Sequence, residues 1–211
     1  MLIYAIVVTY EGINWIDACI GSLLKSHIPV RVLVVDNHST DGTVEKIKKD
    51  FPDVEIIENK SNMGFGQANN IGFRKAIDDH ADYVFLLNQD ARIEPDAIKV
   101  LVEHAEINND YGLLSPIQLN GDNTALDQVF ASHLMQGAFR RFYSDLFIKR
   151  NDLKGIYTVA YIPAAAWLLP INTIKIVGGF DPIFQHYGED DNYLQRVKFF
   201  DLKIGICPES I

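Results

Sequence analysis

The sequence predicts an α/β fold: one Rossmann-like domain with a mostly parallel central sheet and helices on both faces. Near-continuous apolar runs alternate with longer amphipathic segments, which is typical of parallel strands covered on both sides. Polar residues follow the ends of these runs. The 211-residue length suits one domain of above-average size with a substantial core.

Five strands and four helices are predicted in the first half of the chain. The strands are Leu2–Val8, Val30–Asp36, Val54–Glu58, Tyr83–Asn88 and Gly112–Ile117. The helices are Trp15–Lys25, Thr43–Lys49, Gly66–Asp79 and Pro95–Asn108. Connections of this length predict right-handed crossovers, so ligands are expected beyond the carboxyl ends of the strands.

The second half of the chain is less regular. Residues 120–155 are aromatic and basic with weak periodicity, which predicts a long functional or mobile loop. An apolar run, Tyr157–Leu169, a short helix at Ile171–Val177 and a helix through Glu189–Phe200 follow. We predict one domain, with a ligand-binding half at 1–118 and a second half at 119–211.

Composition excludes some functions. The net charge is −9 and the pI is about 5.0, which argues against a broad nucleic-acid surface. Cys19 and Cys207 form neither a disulfide framework nor a metal motif. The N-terminus reads as a strand and not as a signal peptide, and the longest apolar stretch is too short to span a bilayer.

Polar side chains collect where the predicted strands end. They are Thr9, Tyr10, Glu11, Asp36, Asn37, Asn59, Asn88, Gln89 and Asp90. Each one alone is explained equally well as a turn or cap residue. Together they predict a ligand site at one edge of the sheet.

Two motifs suit a nucleotide. In "VVDNHSTDGT", Asp36 stands at a strand tip and can accept a hydrogen bond from a nucleobase or a ribose, while Ser39 or Asp41 can cap the next helix. "NMGFGQANNIG" frees backbone N–H groups at a helix start, although plain helix capping explains Gly64 nearly as well. The second motif is neither a dinucleotide fingerprint nor a P-loop.

Two acidic motifs suit group transfer. In "LLNQDA", Asp90 can hold a divalent cation that neutralises a diphosphate leaving group, with Asn88 facing the ribose; a solvated turn residue is the alternative. In "GGFDPIFQHYGEDDNYLQR", Glu189, Asp190 and Asp191 begin a helix. The macrodipole explains such acids by itself, but a carboxylate in a partly apolar pocket can also deprotonate an attacking alcohol.

The chain contains, in order, "IVVTY" and the four motifs quoted above. With these five segments it resembles the inverting nucleotide-sugar glycosyltransferases of family 2, which have the GT-A fold. Among them the chain is most similar to the rhamnosyltransferase-like members. The resemblance covers essentially the whole chain apart from about residues 120–155. It implies that residues 1–118 are the nucleotide-sugar-binding half and residues 119–211 the acceptor-binding and catalytic half. It implies a UDP- or dTDP-sugar donor, a glycan or lipid-linked saccharide acceptor, and Mg or Mn. It also implies a cytoplasmic location or one at the inner face of the cell membrane, with peripheral membrane contact.

The resemblance assigns roles to individual residues. Thr9 and Tyr10 would line the nucleobase pocket, and Asp36 would hydrogen-bond a pyrimidine ring. Glu11 would also contact the substrate, and Asn69 and Asn88 would help to hold the nucleotide. Asp90 would bind the metal, and Asp190 would be the general base, with Glu189 and Asp191 beside it. Arg196 would be structural or lie near the diphosphate.

The chain departs from the family pattern in three places. Asn88 replaces the first acid of the Asp-x-Asp motif, which leaves one carboxylate for the metal. Asn192 replaces the last acid of Glu-Asp-x-Asp, so Asp191 is expected to share that work. Relatives continue beyond "PES", so we expect a C-terminally truncated domain.

Two other functions remain open from the sequence. A sugar nucleotidyltransferase would need a Gly-rich, Arg/Lys-containing signature near the first strand, which "TYEGINW" lacks. A degenerate domain that binds nucleotide or glycan without turnover is disfavoured by Asp90 and the Glu189-Asp190 pair.

Overall fold

The computed structural model describes residues 1–134, 140–149, 153–184 and 187–211. The strands are β1 Ile3–Thr9, β2 Arg31–Asp36, β3 Glu55–Glu58, β4 Tyr83–Leu87, β5 Tyr111–Pro116, β6 Tyr157–Thr158, β7 Ala166–Pro170 and β8 Lys203–Cys207. The helices are α1 Ile16–Leu24, α2 Thr43–Asp50, α3 Gly64–Asp78, α4 Ala97–Ile107, α5 Gln128–Leu134, α6 Arg140–Lys149, α7 Ile171–Val177 and α8 Glu189–Phe199.

The strands form one mixed sheet in the order β3-β2-β1-β4-β7-β5-β8-β6. β2 and β4 lie parallel to β1 on either side of it, and β3 extends β2 in the same direction. β7 runs antiparallel between β4 and β5, β8 lies parallel to β5, and β6 is antiparallel at the edge. The predicted mostly parallel α/β domain is therefore confirmed.

Alternating side chains of β1 supply both halves of the core. Tyr4 and Ile6 face the side covered by α3, α7 and α8, and Ile3, Ala5 and Val7 face the side covered by α1, α2 and α4. Both sets are at most 1% exposed. Burial on both faces explains why this strand reads as an uninterrupted apolar run.

The predicted elements of the first half are confirmed to within two residues at each end. The prediction of an irregular segment at 120–155 is wrong in part, because α5 and α6 lie there. Phe130 of α5 and Phe142 of α6 are buried, while Val129, Phe147 and Ile148 are exposed. Apolar residues on both faces hide the helical period. Residues 135–139 and 150–152 of this segment lie outside the described residues.

Two further differences concern the second half. The apolar run at 157–169 divides into β6 and β7, with Pro163 between them, and β8 was not recognised in "LKIGICPESI". β8 is five residues long and contains a glycine, so its pattern is weak without its partner β5. Within the described residues, we find no helix with the length and apolar character required to cross a bilayer.

Candidate functional site

The carboxyl ends of β1 and β2 are joined through Asp36. Thr9 and Asp36 are partners in the parallel register, and the Thr9 hydroxyl donates to Asp36 Oδ1 at 2.7 Å. The Ser39 backbone N–H donates to Asp36 Oδ2 at 2.8 Å, and the Ser39 hydroxyl donates to Oδ1 at 2.6 Å. Asp36 is 2% exposed. Since a carboxylate offers about four acceptor positions, this network orients Asp36 and leaves it capacity for a ligand.

A second polar network continues the same edge. Asn37 Oδ1 accepts from Asn59 Nδ2 at 3.0 Å and from the Met63 backbone N–H at 3.3 Å, while its amide donates to the Gly64 carbonyl at 3.2 Å. These contacts fix the start of α3 against the ends of β2 and β3. The polar strand ends predicted from the sequence are thus brought together.

The edge between β1 and β4 is closed by Gln89. Its side-chain amide donates to the Tyr10 carbonyl and its oxygen accepts the Tyr10 N–H, both at 3.0 Å. The Tyr10 side chain stays half-exposed. Glu11 turns toward the next loop, because its Oε1 accepts from the backbone and the hydroxyl of Thr40 at 3.0 and 3.1 Å. Its expected contact with substrate stays a prediction.

Asn69 and Asn70 have different roles in α3. Asn69 is 1% exposed and its amide donates to the Phe65 carbonyl, one turn earlier in the helix, at 3.0 Å. Its expected nucleotide contact stays a prediction. The Asn70 amide donates to the Phe180 carbonyl at 2.8 Å, and its oxygen accepts the Phe180 N–H at 2.7 Å. Asn70 therefore ties α3 to the loop that leads toward the acidic helix.

Arg196 holds the same loop from the other side. Its guanidinium donates to the carbonyls of Val177 at 2.9 Å and Gly179 at 2.6 Å, and its Nε donates to Asn192 at 3.0 Å. A Cβ at position 179 would clash with the Asn70 side chain. These contacts favour the structural role for Arg196 of the two expected from the resemblance.

A groove of about 1050 Å³ unites the two acidic motifs. Asn88 and Asp90, at the end of β4, line it together with the start of α8. The acidic lining residues of α8 are Glu189, Asp190 and Asp191. The remaining wall includes Phe65, Ile117, Leu119, Asn120, Val129, Tyr161, Pro163 and Tyr187. Residues about 100 positions apart in the sequence thus share one partly apolar cleft, the kind of place where ligands bind.

The three acids of α8 differ in their surroundings. Glu189 is 8% exposed, and within the described part of the chain its Oε2 has no hydrogen-bond partner. Asp190 accepts the Tyr161 hydroxyl on Oδ2 at 2.6 Å and the Asp191 N–H on Oδ1 at 2.8 Å. Asp191 accepts from Gln195 at 2.8 Å in an exposed position. A buried acceptor without a partner indicates a group that a ligand can satisfy.

Asp90 offers an exposed carboxylate to the groove. Burial, followed by the charge of Asp90, raises the pKa of the Cys19 thiol to about 12. No cluster of three or more His, Cys, Asp or Glu side chains suited to a metal is found among the described residues. A hard cation such as magnesium commonly takes one or two carboxylate ligands from a protein and its other ligands from a bound phosphate and water. The carboxylate of Asp90 beside the amide of Asn88 fits a site of this kind.

The sequence interpretation missed two residues of this region, Asn70 and Tyr161, and it did not predict the contact of Gln89 with Tyr10. Gln89 and Asn70 stood inside quoted motifs, but nothing in a sequence indicates which backbone groups a distant amide binds. Tyr161 lay within an apolar run, where a tyrosine reads as core. Gln185 and His186 of the loop before α8 lie outside the described residues.

The chain is similar to known glycosyltransferases. The model of "Glycosyl transferase family 2" matches residues 4–169. The chain is 24% identical over 204 residues to N-acetylglucosaminyl-diphospho-decaprenol L-rhamnosyltransferase of Mycobacterium tuberculosis, covering 88% of this chain and 66% of that protein. It is 30% identical over 123 residues to dTDP-rhamnosyl transferase RfbF of Shigella flexneri, covering 58% and 40%.

The fold is also similar to a solved structure. The crystal structure of GalNAc-T7 with UDP, GalNAc and Mn²⁺ superposes with a TM-score of 0.73 at 15% identity, covering 100% of this chain and 43% of that one. That likeness confirms the GT-A fold. The chain spans no more than two thirds of the length of these three proteins.

Proposed function

Because this chain belongs to glycosyl transferase family 2, we propose that it transfers a hexosyl or rhamnosyl group from a UDP- or dTDP-sugar to a hydroxyl of a glycan or a lipid-linked saccharide, with inversion. The observation that carries the proposal is the groove that brings Asn88 and Asp90 together with Glu189, Asp190 and Asp191. A transferase needs both parts at one place: a site for the leaving diphosphate and a base for the incoming hydroxyl.

The donor binds at the carboxyl ends of β1, β2 and β4 in this proposal. Thr9, Tyr10 and the oriented carboxylate of Asp36 hold the nucleobase, and Asn88 faces the ribose. The relatives support the choice of nucleotide, since one is named for dTDP-rhamnosyl transfer and the GalNAc-T7 structure holds UDP.

Asp90 is the proposed protein ligand of a divalent cation, Mg or Mn. Such an ion, when bound, neutralises negative charge that develops on a departing phosphate. The GalNAc-T7 structure, which holds Mn²⁺ as well as UDP, supports this assignment. Asp90 and Asn88 alone make a weak site, so the nucleotide and the ion are expected to bind together.

Asp190 is the proposed general base. The acceptor oxygen bonds to the anomeric carbon while its proton passes to Asp190, and the bond from that carbon to the diphosphate breaks with its electron pair leaving on the nucleotide. Attack from the face opposite the leaving group inverts the anomeric configuration. Glu189, whose buried Oε2 has no hydrogen-bond partner within the described residues, would accept a sugar hydroxyl.

The acceptor side of the groove is the wall formed by Leu119, Asn120 and Val129 together with Pro163. In this proposal the acceptor lies at the beginning of the 120–155 segment. The mycobacterial relative is named for transfer to a diphospho-decaprenol-linked sugar, which supports a lipid-linked acceptor. Exposed Phe147 and Ile148 on α6 would then contact the membrane surface.

The test compares an acid of the groove with an acid outside it. Asp190→Asn is expected to reduce transfer to a small residual rate while nucleotide affinity, measured by calorimetry with UDP and dTDP in the presence of Mn, stays unchanged. Asp201→Asn is the matched control, because Asp201 is also an exposed aspartate but lies outside the groove lining, and this variant is expected to keep the full rate.

The assay is transfer from a panel of UDP- and dTDP-sugars to saccharide acceptors. An undiminished rate in Asp190→Asn would show that the base is assigned wrongly. Nucleotide binding by the unmodified protein without turnover of any donor would instead indicate a binding module.

A further inference from the structure

We propose that Tyr161 is a positioning residue that holds Asp190 in the orientation needed to accept the proton of the acceptor hydroxyl. This inference rests on the proposed function, since it concerns the same groove. Tyr161 lies between β6 and β7, and both its side chain and Asp190 line the groove.

Two hydrogen bonds fix the Asp190 carboxylate at both oxygens. The Tyr161 hydroxyl donates to Oδ2 at 2.6 Å, and the Asp191 backbone N–H donates to Oδ1 at 2.8 Å. The second contact comes from the neighbouring residue of α8 and cannot by itself set the side-chain rotation. The first comes from another element, 29 residues earlier. Together they define the plane of the carboxylate.

The hydroxyl of Tyr161 acts as a donor and not as a base. Burial, the hydrogen bond to Asp190 and the negative charges of Asp190, Asp191 and Glu189 all raise the pKa of Tyr161. The phenol therefore keeps its proton throughout the neutral range. With two acceptor positions used of about four, the carboxylate still has room for the hydroxyl of an acceptor.

Orientation matters here because proton transfer requires the base within hydrogen-bond reach of the attacking hydroxyl. A misplacement of about 1 Å can lower a rate on the order of a hundredfold. Nucleotide affinity depends on the other end of the site, at Asp36 and Asp90. Loss of the Tyr161 hydroxyl should therefore lower kcat and leave donor binding intact.

Tyr161→Phe is the test, since it removes one oxygen and keeps the ring. The expected result is a kcat reduced by roughly tenfold or more, with the donor KM and the calorimetric UDP affinity within about twofold of the unmodified protein. In an Asp190→Asn background, with residual product measured after long incubation, the same change should have little further effect. A purely structural role would lower both rates alike.

Tyr157→Phe is the matched control. The Tyr157 hydroxyl also donates to a carboxylate, Asp145 Oδ2, at 2.8 Å, but neither residue lines the groove. This variant loses the same kind of bond and should keep its kcat. If Tyr161→Phe does not fold, as judged by its melting curve, Tyr161→Leu provides a second removal of the hydroxyl.

The outcomes separate the two proposals. The positioning role is overturned if Tyr161→Phe leaves kcat unchanged, or if it lowers the rate equally with and without the Asp190 carboxylate. Transfer by the unmodified protein still upholds the proposed function in that case. Failure of the unmodified protein to bind or turn over any sugar nucleotide overturns the function, and the positioning role with it. A drop in kcat that disappears in the Asp190→Asn background supports both.

Discussion

Asn70 is expected to be a main support of the loop that leads into the acidic helix. Asn70→Ala removes the reciprocal pair of hydrogen bonds to the backbone of Phe180, at 2.8 and 2.7 Å. Phe180 is 2% exposed and stacks in an aromatic cluster with Phe73 and Trp167, so water cannot easily replace both bonds.

The size of the effect follows from these two contacts. Removing one partner of a buried hydrogen bond costs about 1–3 kcal/mol, and Asn70 is itself only half-buried, so the lower part of that range applies to each bond. Alanine recovers up to about 0.7 kcal/mol of helix propensity. Two bonds at about 1–1.5 kcal/mol each, less this gain, leave a net loss in the free energy of unfolding of about 1.3–2.3 kcal/mol. For a chain of this length that corresponds to a fall in Tm of roughly 3–9 °C.

The assay is urea unfolding followed by circular dichroism, with Asn172→Ala as the control. Asn172 is also a helical asparagine, on α7, but it is exposed. The control should lie within about 0.5 kcal/mol of the unmodified protein. If Asn70→Ala were as stable as Asn172→Ala, the two bonds to Phe180 would not hold the loop.

Two other predictions concern the site and its surroundings. Asp90→Asn should weaken the Mn-dependent part of UDP affinity by roughly tenfold in calorimetry, because the change removes the only charge that Asn88 and Asp90 together offer a cation. Asp122→Asn, an exposed change outside the groove lining, should leave the Mn-dependent UDP affinity unaltered. Equal Mn dependence in both variants would contradict the assignment of Asp90 as a metal ligand. Burial, with smaller contributions from Asp90 and Glu209 respectively, raises the pKa of Cys19 and Cys207 to about 12, so both thiols stay protonated at pH 8 and should resist a disulfide reagent until denaturant is added. Rapid labelling of the native protein at pH 8 would show that burial does not protect them.

The strand-end cluster was predictable because its cause is local. Each apolar run ends at a polar residue, and parallel strands place their carboxyl ends at one edge. Which residues pair there was not predictable. The contact of Thr9 with Asp36 depends on the register of β1 against β2, and the Gln89 contact with Tyr10 depends on β4 lying beside β1.

The acidic helix α8 was likewise predictable from the sequence only in part. Its start at Glu189 follows from a glycine and three acids, which suit a helix N-terminus. The different surroundings of Glu189, Asp190 and Asp191 do not follow, since only the packing of α8 against the β6–β7 connection brings Tyr161 to Asp190.

The sequence by itself determined the alternation of strands and helices, the edge at which polar residues gather and the two acidic motifs. These properties arise from apolar periodicity and short-range turn chemistry, which act within a few residues. The tertiary structure decided that both motifs face one groove, that Asn70 and Arg196 hold the intervening loop, and that Tyr161 contacts Asp190. Those contacts join residues 17 to 110 positions apart, and their partners are set by how the elements pack.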